Sequence, residues 1–193
     1  MRELIYYVAT TADGFIAQVD GSFEGFTLPD EFGADLFKFF PETLPAPMHN
    51  TPLTKDDHKV FDAVLMGRKT YEVGLVHGLS SPYPSLDQYV VSRSIDPSPG
   101  DAVTIVKDDL IEFVTRIKTE TGKAIWLCGG GDLASQLLNA GLIDELIIKL
   151  NPVLFGNGIP LFRNKIETTE LKLVNQKSYR SGHQILFYEI VSY

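Results

Sequence analysis

Three consecutive glycines, Gly129, Gly130 and Gly131, stand where a buried strand is predicted to end and a helix to begin. The apolar run 124–128 precedes them, and a helical pattern follows from Asp132 to Ala140. Backbone amides at a helix N-terminus bind phosphate, and glycine lets a pyrophosphate approach the main chain closely. The pattern therefore predicts either a phosphate-binding turn or an ordinary tight turn.

The glycine turn also satisfies the alanine form of a dinucleotide-binding fingerprint, through Gly129, Gly131 and Ala134. Two features argue against a Rossmann domain. The turn lies late in the chain, and a ribose-binding acid is expected about 20 residues further on. The segment Lys149 to Asn151 occupies that place and contains no acid.

Two more predicted strands end in basic and hydroxyl side chains. The two turns carry Gly67, Arg68, Lys69 and Thr70, and Ser92, Arg93 and Ser94. Because the carboxyl ends of parallel strands face the same side of a sheet, we expect Arg68 and Arg93 to flank one crevice. Two guanidinium groups suit the 2′-phosphate of NADP. The alternative for each turn is a solvated basic surface.

The elements that must position these turns alternate between buried strands and helices. Strands are predicted at Leu4–Ala9, Ala63–Met66, Gln88–Val91, Val103–Val106, Ala124–Cys128, Glu145–Leu150, Leu171–Lys177 and Gln184–Val191, and helices from Phe32 to Phe40 and from Lys69, Asp109 and Asp132. Strand–helix alternation implies parallel pairing, whereas the two late strands predict an antiparallel edge. We expect an α/β three-layer sandwich whose mixed, mostly parallel sheet has an antiparallel C-terminal edge, in one domain spanning residues 1–193.

The net charge of −8, from 17 lysines and arginines against 25 acids, excludes several classes of partner. Nucleic acids and membrane surfaces are anionic, so we expect binding to neither. The sequence has no long apolar segment and no signal-peptide pattern. A single cysteine, Cys128, cannot form an internal disulfide, so we expect a cytoplasmic protein. No metal site is expected, because the histidines are scattered and each is predicted to be a surface or satisfied loop residue: His49, His58, His77 and His183.

Several stretches occur in a fixed order over residues 1 to about 190. They are Ala9–Ala17, Leu65–Glu72, Tyr89–Ser94, Cys128–Leu133, Gly141–Leu146 and Pro152–Gly158. Together they resemble the dihydrofolate reductase fold family. Within it, they resemble the branch similar to the C-terminal reductase domain of the bifunctional riboflavin-biosynthesis deaminase/reductase.

This resemblance implies NADPH as the hydride donor. It places the adenosine end near Gly67, Arg68, Lys69, Thr70, Ser92, Arg93 and Ser94, the pyrophosphate over Gly129, Gly130, Gly131, Asp132 and Leu133, and the nicotinamide near Ala9, Gly14, Ile16 and Ala17. In the riboflavin-type branch the Asp-Gly of the first loop faces the substrate, which points to Asp13 as the residue that orients the substrate or assists proton delivery. Phe26 and Asp35 are expected on the substrate side.

The expected function is the NADPH-dependent reduction of a small nitrogen heterocycle, as in 5-amino-6-(5-phosphoribosylamino)uracil reductase. Dihydrofolate reduction is an alternative, since that branch uses an acid on the first helix and Asp35 lies at a comparable place. Phe23 and Phe26 stand where its tryptophan-bearing loop is usual, which argues against it, and Asp35 then reads as a solvated helix residue. A non-catalytic nucleotide-binding protein is the third possibility. The resemblance and the apolar segment 185–191 also predict a homodimer.

Overall fold

The computed structural model describes residues 1–96 and 102–191. The chain forms two compact units. The first comprises Met1–Leu4 and Ala34–Cys128, and the second comprises Ile5–Gly33 and Gly129–Tyr193. Residues 97–101 and 192–193 of the predicted domain lie outside the described residues, and the single domain stays a prediction.

The helices and strands follow the predicted order with small shifts at their ends. The strands are β1 (Leu4–Thr11), β2 (Phe15–Ala17), β3 (Phe61–Gly67), β4 (Asp87–Val91), β5 (Thr104–Val106), β6 (Ala124–Gly129), β7 (Glu145–Asn151), β8 (Ile159–Pro160), β9 (Glu170–Ser178) and β10 (Gln184–Val191). The helices are α1 (Asp30–Phe39), α2 (Arg68–Val76), α3 (Leu110–Thr119) and α4 (Gly131–Asn139).

The pairing of the strands confirms the α/β class and the mixed, mostly parallel sheet. The first unit has the strand order β5-β4-β3-β6, in which β4 runs parallel to both β3 and β5. The second unit has the order β1-β7-β10-β9. There β1 and β7 are parallel, whereas β10 is antiparallel to both β7 and β9. The antiparallel C-terminal edge is therefore confirmed.

A short antiparallel pair, β2 with β8, was not expected from the sequence. Its register joins Phe15 to Pro160 and Ala17 to Ile159, so the two partners lie more than a hundred positions apart in the chain. Gly158 makes the close approach possible, because a Cβ there would lie 2.4 Å from the Ala17 carbonyl oxygen. Strands of two and three residues carry too little periodicity to be predicted locally.

An aromatic cluster forms part of the core of the first unit. Phe61 is fully buried on β3, with its ring centroid 6.2 Å from that of Trp126 and 6.3 Å from that of Phe40. Tyr83 packs edge-on against Trp126 at 4.8 Å. Full burial of a large apolar side chain stabilises a fold by about 1.5–3 kcal/mol, so these rings help to fix β3 and β6. Phe32 and Leu36 of α1 and Phe40 just after it are buried, whereas Phe39 is 40 % exposed.

The start of β3 is held by a buried carboxylate that the sequence did not reveal. Glu42 is 1 % exposed, and its side chain accepts hydrogen bonds from three consecutive backbone amides. The amide of Lys59 lies at 3.2 Å, and those of Val60 and Phe61 lie at 2.7 Å. Since β3 delivers Gly67 and Arg68 at its far end, Glu42 sets the path of a strand that carries candidate ligand groups.

We expect Glu42→Ala to lower the free energy of unfolding by about 3 kcal/mol or more, because it leaves three backbone donors without their acceptor. Glu42→Gln keeps one carbonyl oxygen and is expected to lose less. Urea unfolding measures both, as a shift of the midpoint at an unchanged slope. An alanine variant as stable as the wild-type protein would show that the three amides find other acceptors.

Candidate functional site

The two basic turns of the first unit lie side by side. Gly67 at the end of β3 pairs in register with Val91 at the end of β4, so the residues that follow each strand are neighbours. Nη1 of Arg68 donates a hydrogen bond to the Ser94 hydroxyl at 3.2 Å. The structure thus brings the turn after β3 into contact with the turn after β4.

Ser92 shapes the turn after β4. Its hydroxyl accepts hydrogen bonds from the amides of Ser94 at 3.2 Å and Ile95 at 3.0 Å, and its own amide donates to the Val106 carbonyl at 3.0 Å. Ser92 is buried, whereas Arg93 is exposed. The hydroxyl of Ser92 therefore holds the loop, and the guanidinium of Arg93 faces solvent.

Positive charge collects at these turns in a chain that is otherwise acidic. Arg68 and Lys69 begin α2, where the backbone amides of a first helical turn have no acceptor within the helix. Both side chains are exposed, and Thr70 is partly buried. Nε of Arg68 lies 3.7 Å from a carboxylate oxygen of Glu72, an exposed pair that neutralises only part of this charge. The arrangement suits a phosphate group.

The three glycines in the second unit occupy their positions for different reasons. Gly129 has φ +137°, a conformation that side chains disfavour, and the peptide bond to Gly130 is cis. Gly130 has φ −101° and ψ −172°, which any residue adopts, and it caps α4. Gly131 is needed for packing, since a Cβ there would lie 2.3 Å from the Pro160 carbonyl oxygen. The backbone conformation of Gly130 does not by itself require a glycine.

The glycine turn is braced by the segment that follows β8. The carbonyl oxygen of Gly131 accepts hydrogen bonds from the Arg163 amide at 3.1 Å and the Ser135 hydroxyl at 2.7 Å. The Asp132 carboxylate accepts a hydrogen bond from the Asn164 side chain. Leu133 is buried in the core. The first-turn amides of α4 are therefore held in place and directed outward from the helix end, as anion binding requires.

The Asp13 carboxylate lies against the loop that follows β7. One oxygen accepts hydrogen bonds from the Thr11 hydroxyl at 2.5 Å and the Phe155 amide at 3.2 Å, and the other accepts one from the Gly156 amide at 2.7 Å. The hydrogen bond from Thr11 and those from the two amides lower the pKa of Asp13, although loss of water contact acts in the opposite direction. Asp13 is accordingly an anion near neutral pH.

The residues expected near the nicotinamide lie around this loop in the second unit. Gly14 has φ +85°, a conformation suited to glycine, and its carbonyl oxygen accepts a hydrogen bond from the Leu161 amide at 3.0 Å. Ile16 and Ala17 belong to β2, where Ala17 is buried. Ala9 lies on β1 opposite Lys149 of β7. The carboxyl end of β1 thus carries Ala9 and the whole Asp13 loop.

The two residues expected on the substrate side fall in different units. In the second unit, Phe26 stacks on Phe155, with ring centroids 5.3 Å apart and planes 15° from parallel. Both rings are partly exposed. Asp35 lies on the part of α1 that belongs to the first unit and is partly buried. Phe26 and the Asp13 loop are therefore the pair that one unit places together, through Phe155.

A buried polar cluster beside Phe26 was missed from the sequence. His183 is 2 % exposed, with Nε2 3.1 Å from the Thr27 hydroxyl and Nδ1 3.0 Å from the Ser181 hydroxyl. Asn151 at the end of β7 accepts a hydrogen bond from the Thr27 amide at 3.4 Å. The Asn151 side chain also donates to the Thr10 carbonyl at 3.4 Å. The cluster ties residue 27 to the carboxyl ends of β1 and β7.

The prediction for the histidines is right for His183, a satisfied loop residue, and wrong for His58. His58 is 4 % exposed, and neither ring nitrogen has a hydrogen-bond partner among the described residues. Its surroundings depend on how residues 55–61 fold back on Glu42, which local sequence does not show.

Within residues 1–96 and 102–191, no group of three or more histidine, cysteine, aspartate or glutamate side chains is placed to hold a metal ion. Over the same ranges, every helix is too short or too polar to cross a membrane.

The model of the RibD C-terminal domain family matches residues 2–187. The chain belongs to this family. Two relatives from Bacillus subtilis (strain 168), the uncharacterized proteins YwjB and YyaP, match over nearly their whole length. YwjB is 32 % identical over 184 residues, which cover 95 % of this chain and 96 % of YwjB. YyaP is 28 % identical over 192 residues, which cover 94 % of this chain and 91 % of YyaP.

Solved structures show the same fold at lower sequence identity. A Shewanella sp. PV-4 protein assigned to riboflavin biosynthesis matches with a TM-score of 0.71 and 22 % identity, over the full length of both chains. Enterococcus faecalis dihydrofolate reductase, solved with NADP(H), matches with a TM-score of 0.65 and 17 % identity over 98 % of this chain and 97 % of its own. Acinetobacter baumannii RibD matches with a TM-score of 0.67 and 14 % identity over 99 % of this chain and 58 % of the longer RibD chain.

These matches confirm the resemblance drawn from the sequence and the dihydrofolate reductase-like fold. The RibD C-terminal domain is a reductase domain, so the family supports an oxidoreductase. The predicted roles of the individual site residues stay predictions.

Proposed function

We propose that this protein is an NADPH-dependent reductase of a small nitrogen heterocycle or its ribosyl derivative. The observation that carries the proposal is the family match over residues 2–187, in a chain whose strand ends present glycines and cations suited to phosphate. The same fold occurs in a Thermotoga maritima diaminohydroxyphosphoribosylaminopyrimidine deaminase/5-amino-6-(5-phosphoribosylamino)uracil reductase, where the match covers 97 % of this chain and 56 % of that chain. We propose a substrate of that class here.

The first unit carries the groups that would hold the 2′-phosphate end of NADPH. Arg68 and Arg93 follow neighbouring parallel strands, and Lys69 adds a third cation beside the first helical turn of α2. Arginine forks bind phosphate oxygens through paired, charge-assisted hydrogen bonds. The hydrogen bond from Arg68 to Ser94 positions this guanidinium beside the turn that carries Arg93. NADH, which lacks the 2′-phosphate, would make no use of these groups.

The second unit carries the groups that would hold the pyrophosphate and the nicotinamide. The amides at the start of α4 are the donors for a pyrophosphate, and Gly130 leaves the main chain bare at that point. The Asp132 carboxylate keeps its negative charge but is held by hydrogen bonds from the Asn164 and Gln136 side chains. We assign the nicotinamide to the region of Ala9 and the loop from Gly14 to Ala17.

The reaction adds a hydride and a proton across a polar double bond of the substrate, and NADPH supplies the hydride when bound. The chain itself supplies orientation and a surface from which water is partly excluded. The stacked rings of Phe26 and Phe155 offer an apolar wall to a planar heterocycle. We propose a cytoplasmic location as well, because NADPH is an intracellular reductant.

The function is tested by following NADPH absorbance with dihydrofolate, with ribosylated aminouracils and with their 5-phosphates. We expect turnover with the aminouracil derivatives. Turnover with dihydrofolate alone would show that the substrate is dihydrofolate and not an aminouracil derivative. Tight NADPH binding without turnover on any of these substrates would favour a nucleotide-binding protein that is not an enzyme.

We expect the wild-type protein to bind NADPH more tightly than NADH, and Arg68→Ala to remove much of that preference. Loss of one charge-assisted contact costs about 1.5–3 kcal/mol, which is a roughly 10- to 100-fold weaker affinity for NADPH. Affinity for NADH should hardly change. Fluorescence titration measures both dissociation constants. Arg116→Ala serves as the control, because Arg116 is an exposed arginine on α3 of the same unit, paired with Glu120. Equal affinity of the wild-type protein for the two cofactors would contradict the assignment.

We expect Gly130→Ala to fold and to bind NADPH at least tenfold more weakly, a change of about 1.4 kcal/mol, because a methyl group would enter the space of the pyrophosphate. Gly131→Ala should instead lose stability, because its Cβ would lie 2.3 Å from the Pro160 carbonyl oxygen. Circular dichroism and thermal unfolding separate the two effects. A folded Gly130→Ala protein with normal NADPH affinity would show that the pyrophosphate does not bind at this turn.

We propose that the protein is a homodimer, with β9 at the interface. The sequence argument relied on β10, but the structure places β10 between β7 and β9, so β10 is not the edge. All nine residues of β9 are exposed, including Leu171, Leu173 and Val174. An apolar pocket of about 70 Å³, lined in part by Leu171, adjoins this strand. A long exposed edge strand offers unpaired backbone groups for pairing with a second chain.

Sedimentation velocity at micromolar concentration should therefore give a species of twice 21.5 kDa. We expect Leu173→Glu to shift the protein toward the monomer, because a charge on the proposed interface must lose its water. Val76→Glu is the matched control, since Val76 is 83 % exposed on α2 of the other unit. A single wild-type species near 21.5 kDa would rule the dimer out.

A further inference from the structure

We infer that Asp13 is a positioning residue: its carboxylate fixes the 155–156 turn and thereby sets the Phe155 ring against Phe26, and it does not exchange a proton with the substrate. This inference rests on the proposed reductase function. It changes the role expected for Asp13 from the sequence, where proton delivery was one of two possibilities.

The hydrogen bonds of Asp13 are those of a structural anchor. Both carboxylate oxygens accept, and the three donors are two backbone amides and a hydroxyl. The hydroxyl belongs to Thr11, which is 1 % exposed and also accepts a hydrogen bond from the Phe15 amide at 2.9 Å. An anion is the form that this set of donors stabilises, and the same bonds lower the pKa of Asp13. A proton donor at neutral pH needs the opposite environment.

The anchored turn carries the ring that faces Phe26. A hydrogen bond between backbone groups, from the Ala12 amide to the Val153 carbonyl at 2.9 Å, joins the same two loops. Gly156 has φ +71°, so the chain turns sharply just after Phe155. On the other side, a Cβ at Gly25 would lie 3.1 Å from the Phe155 ring. Asp13 thus holds the backbone at Phe155, and the 25–26 segment packs against the Phe155 ring.

The consequence for the substrate is a preference for flat rings. Two phenylalanine rings stacked nearly parallel present a planar apolar edge, and a planar heterocycle packs on such a surface better than a puckered one. Asp13 controls how well that surface is ordered before the substrate arrives. Loss of the anchor should therefore weaken substrate binding more than it slows the chemical step.

The test compares Asp13→Asn with Asp20→Asn in the full-length protein. Asp20 is a matched control, because it is an exposed acid of the same segment that accepts a hydrogen bond from its near neighbour, the Ser22 amide, at 2.8 Å. Asparagine at position 13 keeps the size of the side chain but has one acceptor oxygen, and its NH₂ group faces a donor. Exchange of the Phe155 and Gly156 amides is measured by NMR without ligand, together with KM, kcat and the pH dependence of kcat for the reductase reaction. Circular dichroism confirms that each variant is folded.

We expect Asp13→Asn to speed exchange of the two amides about tenfold or more, to raise KM for the heterocycle, and to leave the pH dependence of kcat unchanged. Asp20→Asn should alter none of these. Unchanged exchange at residues 155 and 156, or a collapse of kcat with loss of one limb of the pH profile, would overturn the inference. Failure of the proposed function would look different, because the wild-type protein itself would not turn over while the exchange result would still decide the role of Asp13.

Discussion

Carboxylates that accept hydrogen bonds from backbone amides are the interaction on which both units depend. Glu42 accepts hydrogen bonds from three consecutive amides at the start of β3, and Asp13 accepts them from two amides beyond the end of β7. A backbone amide turned away from water must find an acceptor, and a carboxylate can serve several donors at once. Each of these acids fixes the chain beside a strand whose carboxyl end carries candidate ligand groups. The two acids therefore help to position the candidate ligand groups.

The local placement of cations reconciles a net charge of −8 with the binding of an anionic cofactor. Several carboxylates are already committed to local donors: Asp13, Asp20, Glu42, Asp57 and Asp132. Arg68, Lys69 and Arg93, by contrast, are exposed at two neighbouring strand ends. A phosphate responds mainly to the charges within a Debye length of about 8 Å, not to the sum over the chain. Local arrangement therefore matters more than net charge for the proposed cofactor.

Much of the fold could be predicted from the sequence, because its main strands are long apolar runs with local periodicity. β1, β3, β6 and β7 were found within a few residues of their true ends, and the antiparallel edge of β9 and β10 was found as well. β2 and β8 were not found, since each is too short to show a period. Their pairing depends on the close approach at Gly158, which is a contact distant in the chain. The sequence also did not show which of the two late strands lies at the edge, because that depends on which of them pairs with β7, and the surface proposed for dimer contact depends on the same pairing.

The candidate site shows the same difference between features with a local sequence pattern and contacts between residues distant in the chain. Residue types and their spacing were enough to find the glycine turn and the two basic turns, because phosphate recognition uses backbone amides and cations that adjoin strand ends. The hydrogen-bond partners of a polar side chain, by contrast, could not be predicted from residue types and spacing. Asp13 finds Gly156 across 143 positions, and His183 finds Thr27 across 156. An Asp-Gly pair in a first loop fits catalysis as well as anchoring, and only the donors brought by a remote loop distinguish the two. Where a carboxylate has two backbone amides and a hydroxyl as its donors, its chemistry is that of a fixed anion, and its contribution to a reaction is the geometry that it imposes on its neighbours.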